Sequence, residues 1–317
     1  MKIPVLGYFR IGTACILLLT LLSLEDDFLL LYTPNGLVDA PLLELKHLSP
    51  TVTLNQIINW LSHHFNLDGL SVFTLLYVLY IQLCIFLVLG IHTKFTSLFL
   101  LLLHISIFTS LTQYSYGADY FCNILLFYCL VFPTDRSSSI DQLILRLPPI
   151  SEEQLSLCLS VLRTHLCFIY FFSGLDKALG GDWWNGQALW KALHLPYFHE
   201  QNLLGSLLPH FPSWLFVAGG TAVVLLEFSY PLSLFVPRSR NAIVYSMLVL
   251  HLLIALTIGL YFFSLVMIFL NIISWLTGNP SQRYSTRLFT PYLRWLARPK
   301  PPRPIKEGKS SRKEEQL

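Results

Sequence analysis

Apolar residues in this chain come in long unbroken blocks, with polar residues gathered between them instead of recurring every third or fourth position. A helix that is apolar all round belongs to the centre of a large fold or to a bilayer. A hydrocarbon core of about 30 Å takes about 20 apolar residues of helix. That ruler predicts spans over Val5 to Leu24, Leu70 to Gly90, Phe95 to Leu111, a shorter Tyr120 to Pro133, Gln154 to Gly174, and Trp214 to Val236. The block Asn241 to Leu276 is too long for one crossing, and Gly259 near its middle predicts two spans joined by a tight turn. The expected fold is all-α: a polytopic transmembrane helical bundle of about eight spans.

Charge placement agrees with that count. Basic residues crowd the segment after Pro280, from Arg283 to Lys313, and the short even-numbered loops carry Lys94, Arg136, Arg146, Arg238 and Arg240. The odd-numbered loops are acidic or mixed, with Glu25, Asp26, Asp27, Asp39, Glu44, Asp68 and Asp119. Lys and Arg mark cytoplasmic loops, so both termini are expected in the cytoplasm and the first apolar block is expected to stay as a span, not to be cleaved. Two regions follow: a membrane domain over 1–280 and a basic, Pro-rich tail over 281–317, expected to be disordered beside anionic headgroups.

Composition changes the picture only by exclusion. Charged residues make up 12% of the chain, half of the roughly 25% usual in soluble domains. A net charge of +3 offers no footprint for nucleic acid. The six cysteines lie in apolar blocks without CxxC or zinc-ligand spacing, which predicts small hydrophobes at helix contacts, neither a disulfide framework nor a metal site.

Charges inside a membrane are costly and mark interior faces. Arg163, Cys167, Tyr170, Gly174 and Lys177 repeat at helical spacing along one stripe of the fifth span. Arg163 is expected to pair with Glu227 of the sixth. Lys177, at the outer end, either snorkels to the interface, pairs with Asp119, Asp176 or Asp182, or takes part in chemistry. Tyr116 and Asp119 stand at the mouth of the fourth span with Asn123 one turn deeper, while His251 and Ser264 flank the Gly259 turn. By the topology these segments meet on the outer side. The stretch GGDWWNGQALWKAL (180–193), with Trp183, Trp184 and Trp190, predicts a short interfacial helix after the fifth span, either an anchor on the outer leaflet or a lid over a cavity. His104, His165 and His251 sit one to a helix, so no paired haem ligands arise, and the Gly219–Gly220 step predicts close helix packing.

The run RTHLCFIYFFSGLDKA (163–178) followed by DWWNGQA (182–188) resembles the signature of the HTTM (horizontally transferred transmembrane) domain family. YGADYF (116–121), the stretch from His251 to Ser264, and Arg10 fall in the same order. The likeness covers roughly 5–280 and is densest at 163–188. The family is related to the membrane domain of vitamin K-dependent gamma-carboxylase. The resemblance implies that Lys177 matches the carboxylase lysine that deprotonates reduced vitamin K; for a membrane enzyme, Asp119 is its expected partner. It implies a quinone-like lipid as the small molecule, and Tyr116, Asn123, Arg163, Tyr170, Trp183, Trp184, His251 and Ser264 are expected to line the site. Two features depart from the carboxylase: no histidine lies between His104 and His165, and its lumenal domain has no counterpart here, so peptide gamma-carboxylation is not expected. Stand-alone bacterial members are similar in length, which implies a bacterial cytoplasmic membrane. Two functions stay open: a membrane enzyme acting at the outer face on a lipid-soluble or peptide substrate, and a non-enzymatic factor for maturation, export or immunity of a secreted peptide.

Overall fold

The computed structural model describes residues 5–24, 27, 52–110, 115–195 and 210–277. Among these residues all regular structure is helical. The predicted tail, 281–317, lies outside the described residues, as does most of the first outer loop.

The helices are α1 (Val5–Leu22), α2 (Leu54–Phe65), α3 (Gly69–Leu89), α4 (Thr93–Ser110), α5 (Gly117–Val131), α6 (Ile140–Ile144), α7 (Glu152–Leu179), α8 (Gly181–Trp184), α9 (Gln187–Leu193), α10 (Ser213–Ser229), α11 (Leu232–Phe235), α12 (Pro237–Ile258) and α13 (Tyr261–Asn271), the last continued by a wider turn over Ile272–Leu276. Four of them (α1, α3, α7 and α12) are long and apolar enough to cross a membrane, and α4, α5, α10 and α13 with its extension are shorter apolar helices. Gly259 ends α12 in the left-handed conformation, φ 77°, which a glycine adopts without strain. The long apolar block 241–276 is therefore two helices, broken at the glycine.

Start and stop signals are local and explicit. Thr53 and Ser151 begin α2 and α7 with reciprocal capping boxes to Gln56 and Gln154. Asp68 caps α3, and hydrogen bonds from Ser71 to its carboxylate hold that acid below its ordinary range. At the far end of α5 the Lys94 ammonium donates to the carbonyls of Leu130 (2.6 Å) and Phe132, placing a cation on the negative end of the helix.

The packing joins two four-helix sets. One is α1, α3, α4 and α5; the other is α7, α10, α12 and α13, and α13 touches both. Phe9 of α1 stacks on Phe269 of α13 at 6.0 Å, a contact that Gly12 leaves room for. The polarity is inverted relative to a soluble protein. Leu75, Val78, Phe99, Phe168, Phe172, Val249, Leu252 and Leu253 are exposed, whereas Arg10, Arg163, His104 and Asn271 are fully buried. Lipid removes the penalty on outward apolar groups, while backbone polar groups must be met within the helices. Thr13, Thr20, Ser97 and Ser160 obey the same demand, each hydroxyl donating to the carbonyl four residues back.

Candidate functional site

The stripe read from spacing on α7 is a buried face. Arg163, Cys167, Tyr170 and Gly174 are all buried, and Lys177 keeps only 20% of its side-chain surface. Gly174 sets the geometry, because a Cβ there would stand 2.6 Å from the backbone nitrogen of Phe228. The two backbones therefore approach closely at this level, and Glu227 arrives beside Lys177. The Lys177 Nζ donates to Glu227 Oε2 at 2.8 Å and to Ser173 Oγ at 2.6 Å.

Two pairings expected from sequence are thereby changed. Glu227 is the partner of Lys177, not of Arg163. Arg163 lies four turns away along α7, ~21 Å at 1.5 Å per residue, too far to reach that carboxylate. Its Nε instead donates to the carbonyl of Ser274 at 2.7 Å, and its guanidinium lies 4.9 Å from the Trp275 ring centroid, with Arg240 at 5.2 Å from the same ring. Asp182, another partner considered for Lys177, takes Lys191 at 2.6 Å on the exposed surface.

Lys177 also meets α10 near its C-terminal end. Past Gly180, the α8–α9 elbow folds along the first half of α10. A Cβ on Gly220 would meet the carbonyl of Trp183 at 2.5 Å, and one on Gly186 would meet Val217 N at 2.6 Å. Glu227 comes 14 residues after Ser213, ~21 Å along α10. The Trp183 ring lies 5.3 Å from the Lys177 ammonium and flanks it. Trp184 turns outward, half exposed, with its Nε1 donating to the carbonyl of Ala178.

Beside this ion pair runs a buried chain of hydrogen bonds. His251 Nε2 meets the Tyr170 hydroxyl at 2.9 Å, Asn271 Nδ2 donates to the same hydroxyl at 2.8 Å, and the Tyr230 hydroxyl donates to Asn271 Oδ1 at 2.6 Å. Trp275 Nε1 donates to the Tyr230 oxygen at 2.9 Å. His251 lies within electrostatic reach of Lys177, and Tyr170 within that of Glu227. Sequence reasoning missed Asn271, Tyr230 and Trp275. Polar or half-polar residues in the last two apolar blocks were the signal available, since in a membrane such groups need partners.

The α5 residues form a neighbouring cluster. Asp119 is buried; its Oδ2 accepts from the backbone N–H of Tyr116 at 2.9 Å, and its Oδ1 has no partner among the described residues. Asn123 Oδ1 and Ser264 Oγ are likewise without partners there. Phe263 joins the two clusters, since it lies against Phe121 of α5, over Gly117, and against the His251 ring. No histidine follows His104 before His165 in sequence, yet tertiary packing brings the His104 ring to the backbone of Asp119, where its Nδ1 meets the Tyr80 hydroxyl at 2.7 Å.

The HTTM domain family matches residues 38–276, three quarters of the chain. The chain belongs to that family. No curated protein and no solved structure matches it. The HTTM match takes in every residue of the Lys177–Glu227 site and of the chain from His251 to Trp275. α1 precedes the matched stretch and still supplies buried core, from Leu6 and Phe9 to Leu17 and Leu21. Lys177, Trp183, Tyr170 and His251 are thus gathered in one part of this HTTM domain, Phe263 links them to α5, which carries Asp119 and Asn123, and Arg163 lies against Trp275, at the other end of the hydrogen-bonded chain. Among the described residues no group of three or more His, Cys, Asp or Glu side chains converges. An open apolar groove of about 200 Å³ lies elsewhere, among Ile57, Leu76, Leu83, Phe99 and Leu103 of α2, α3 and α4.

Proposed function

We propose that this HTTM protein crosses a bacterial cytoplasmic membrane eight times, with both termini cytoplasmic, and handles a proton on a lipid-soluble, quinol-like substrate at the Lys177–Glu227 pair. Helices α1, α3, α4, α5, α7, α10, α12 and α13 serve as the spans. The α8–α9 elbow is the interfacial segment on the non-cytoplasmic side and covers the pair. The basic tail over 281–317 lies along the cytoplasmic leaflet. Reporter fusions test this topology: fusions before residue 1 and after residue 317 report cytoplasm and one inserted at 180–186 reports the opposite side. Opposite sides for the two termini would sink the eight-span reading.

The observation that carries the reading is a lysine and a glutamate 2.8 Å apart on a buried face, flanked by Trp183. Lys177 supplies the cation of the pair, and Glu227 accepts the proton. On this scheme the substrate O–H bond breaks, its proton passes to the Glu227 carboxylate, and the oxyanion left behind is stabilised by the Lys177 ammonium. The low dielectric strengthens that attraction. Asp119 acts by ordering the mouth of α5 beside the site, with Tyr116, Asn123 and Ser264 as lining.

Mass spectrometry of lipid extracted from purified protein tests the reading. Wild type is expected to carry a quinone-like lipid, and folded Lys177→Met and Glu227→Gln proteins are expected to lose it. Equal lipid in all three counts against the site. The half-exposed Trp184 and Trp190 favour a second reading, a non-enzymatic factor that grips a secreted peptide. Crosslinking at the α8–α9 elbow that captures such a peptide independently of Lys177 selects it.

A further inference from the structure

The hydrogen bonds that end at His251 fix where its proton sits. Indole Nε1–H can only donate, so Trp275 makes the Tyr230 oxygen an acceptor. The Tyr230 O–H then donates to Asn271 Oδ1. The orientation of that amide is anchored independently, because Asn271 Nδ2 also donates to the carbonyl of Met267 at 2.8 Å, and a carbonyl can only accept. The other Nδ2 hydrogen goes to the Tyr170 oxygen, leaving the Tyr170 O–H to donate to His251 Nε2. His251 Nε2 is therefore bare, and the imidazole proton is on Nδ1.

That Nδ1–H has no acceptor among the described residues, although His251 is only 3% exposed. A buried donor left unmet costs about 1–3 kcal/mol, and every other link of the chain is satisfied. The members of the chain are themselves closed to solvent: Tyr170 2%, Tyr230 0%, Asn271 0% and Trp275 3% exposed. Such a relay leaves the imidazole one orientation and one tautomer. Ser264, which follows the Phe263 that lies against the ring, is a further buried polar group without a partner among the described residues.

We propose that His251 Nδ1–H is a substrate-positioning donor, held in that tautomer by the relay from Trp275 through Tyr230, Asn271 and Tyr170, and that it binds an acceptor oxygen of a lipid-soluble carbonyl or phenolate compound. The identity of the bound molecule as the substrate rests on the Lys177–Glu227 reading, but the tautomer and the donor role do not.

The test uses the full chain in lipid nanodiscs with 15N-labelled histidine. The His251 signals are assigned by their disappearance in His251→Gln. Wild type is expected to show protonated Nδ1 and unprotonated Nε2, and Tyr170→Phe is expected to lose that preference. The probe is 2,3-dimethyl-1,4-naphthoquinone, whose blocked ring positions cannot react with the free thiols. It is expected to shift the Nδ1–H signal in wild type and to bind about tenfold more weakly to His251→Gln, the loss of one hydrogen bond. A shift retained in Lys177→Met supports the donor and counts against Lys177 alone. A protonated Nε2 in wild type overturns the relay. An unmoved Nδ1–H signal at millimolar probe overturns the donor role.

Discussion

Replacing Gly174 by alanine probes the step on which the candidate site depends. The new Cβ would stand 2.6 Å from Phe228 N and 3.0 Å from Phe228 Cα, both backbone atoms that cannot rotate away. Ordinary contact begins near 3.4 Å, so α10 must retreat from α7 by about 0.8 Å at this level. Overpacking of this kind costs about 1–3 kcal/mol. Glu227 rides on the same turn, and the same retreat would stretch its 2.8 Å contact with Lys177 beyond hydrogen-bond length. Two measurements follow. Thermal unfolding of the purified protein in detergent is expected to show destabilisation of that size. A double-mutant cycle between Lys177→Met and Glu227→Gln, run in wild-type and Gly174→Ala backgrounds, is expected to show coupling in the first and little in the second. Wild-type melting together with undiminished coupling in Gly174→Ala would refute the argument that this glycine brings the two charges together.

Other substitutions test the frame around the site. Lys94→Met removes a cation from the terminal carbonyls of α5, and charged hydrogen bonds are worth about 1.5–3 kcal/mol; unfolding in detergent should come earlier by that amount, and no change would mean that water serves those carbonyls equally well. Gly90→Ala places a Cβ at φ 71° against the buried Arg10 guanidinium; the left-handed backbone alone costs roughly 1–2 kcal/mol, so folded yield by size exclusion should fall sharply. Asn271→Leu keeps the volume but leaves the Tyr230 O–H without its acceptor and takes one donor from the Tyr170 oxygen, whose own O–H still meets His251; a loss of about 1–3 kcal/mol is expected from one buried donor left unmet, and a neutral effect would show that the relay contributes nothing to the bundle.

The blockwise apolar pattern was enough to place α1, α3, α4, α5 and α7 near their observed limits, to start α10 at Trp214 though it ends at Ser229 and not at Val236, and to break the last block at Gly259. In a bilayer-type fold the solvent acts on whole segments, so hydropathy and a glycine in the left-handed region are local quantities. The α7 stripe was legible for the same reason: 3.6-residue periodicity alone puts Arg163, Tyr170, Gly174 and Lys177 on one side. Family membership was also carried by contiguous residues. Partnership was not. Spacing along one helix says nothing about its depth against another, and the approach of α7 to α10 at Gly174 gave Glu227 to Lys177 and left Arg163 to Trp275 and Ser274. The relay from Trp275 to His251 is assembled from three helices, the residue that caps α10 and the turn after α13, and the direction of every bond in it depends on donor-only and acceptor-only groups that meet only in the folded bundle. Sequence set which groups are buried on each helix; tertiary packing decided which of them touch, because an unmet polar group in an apolar interior takes whatever partner the backbones bring within 3 Å.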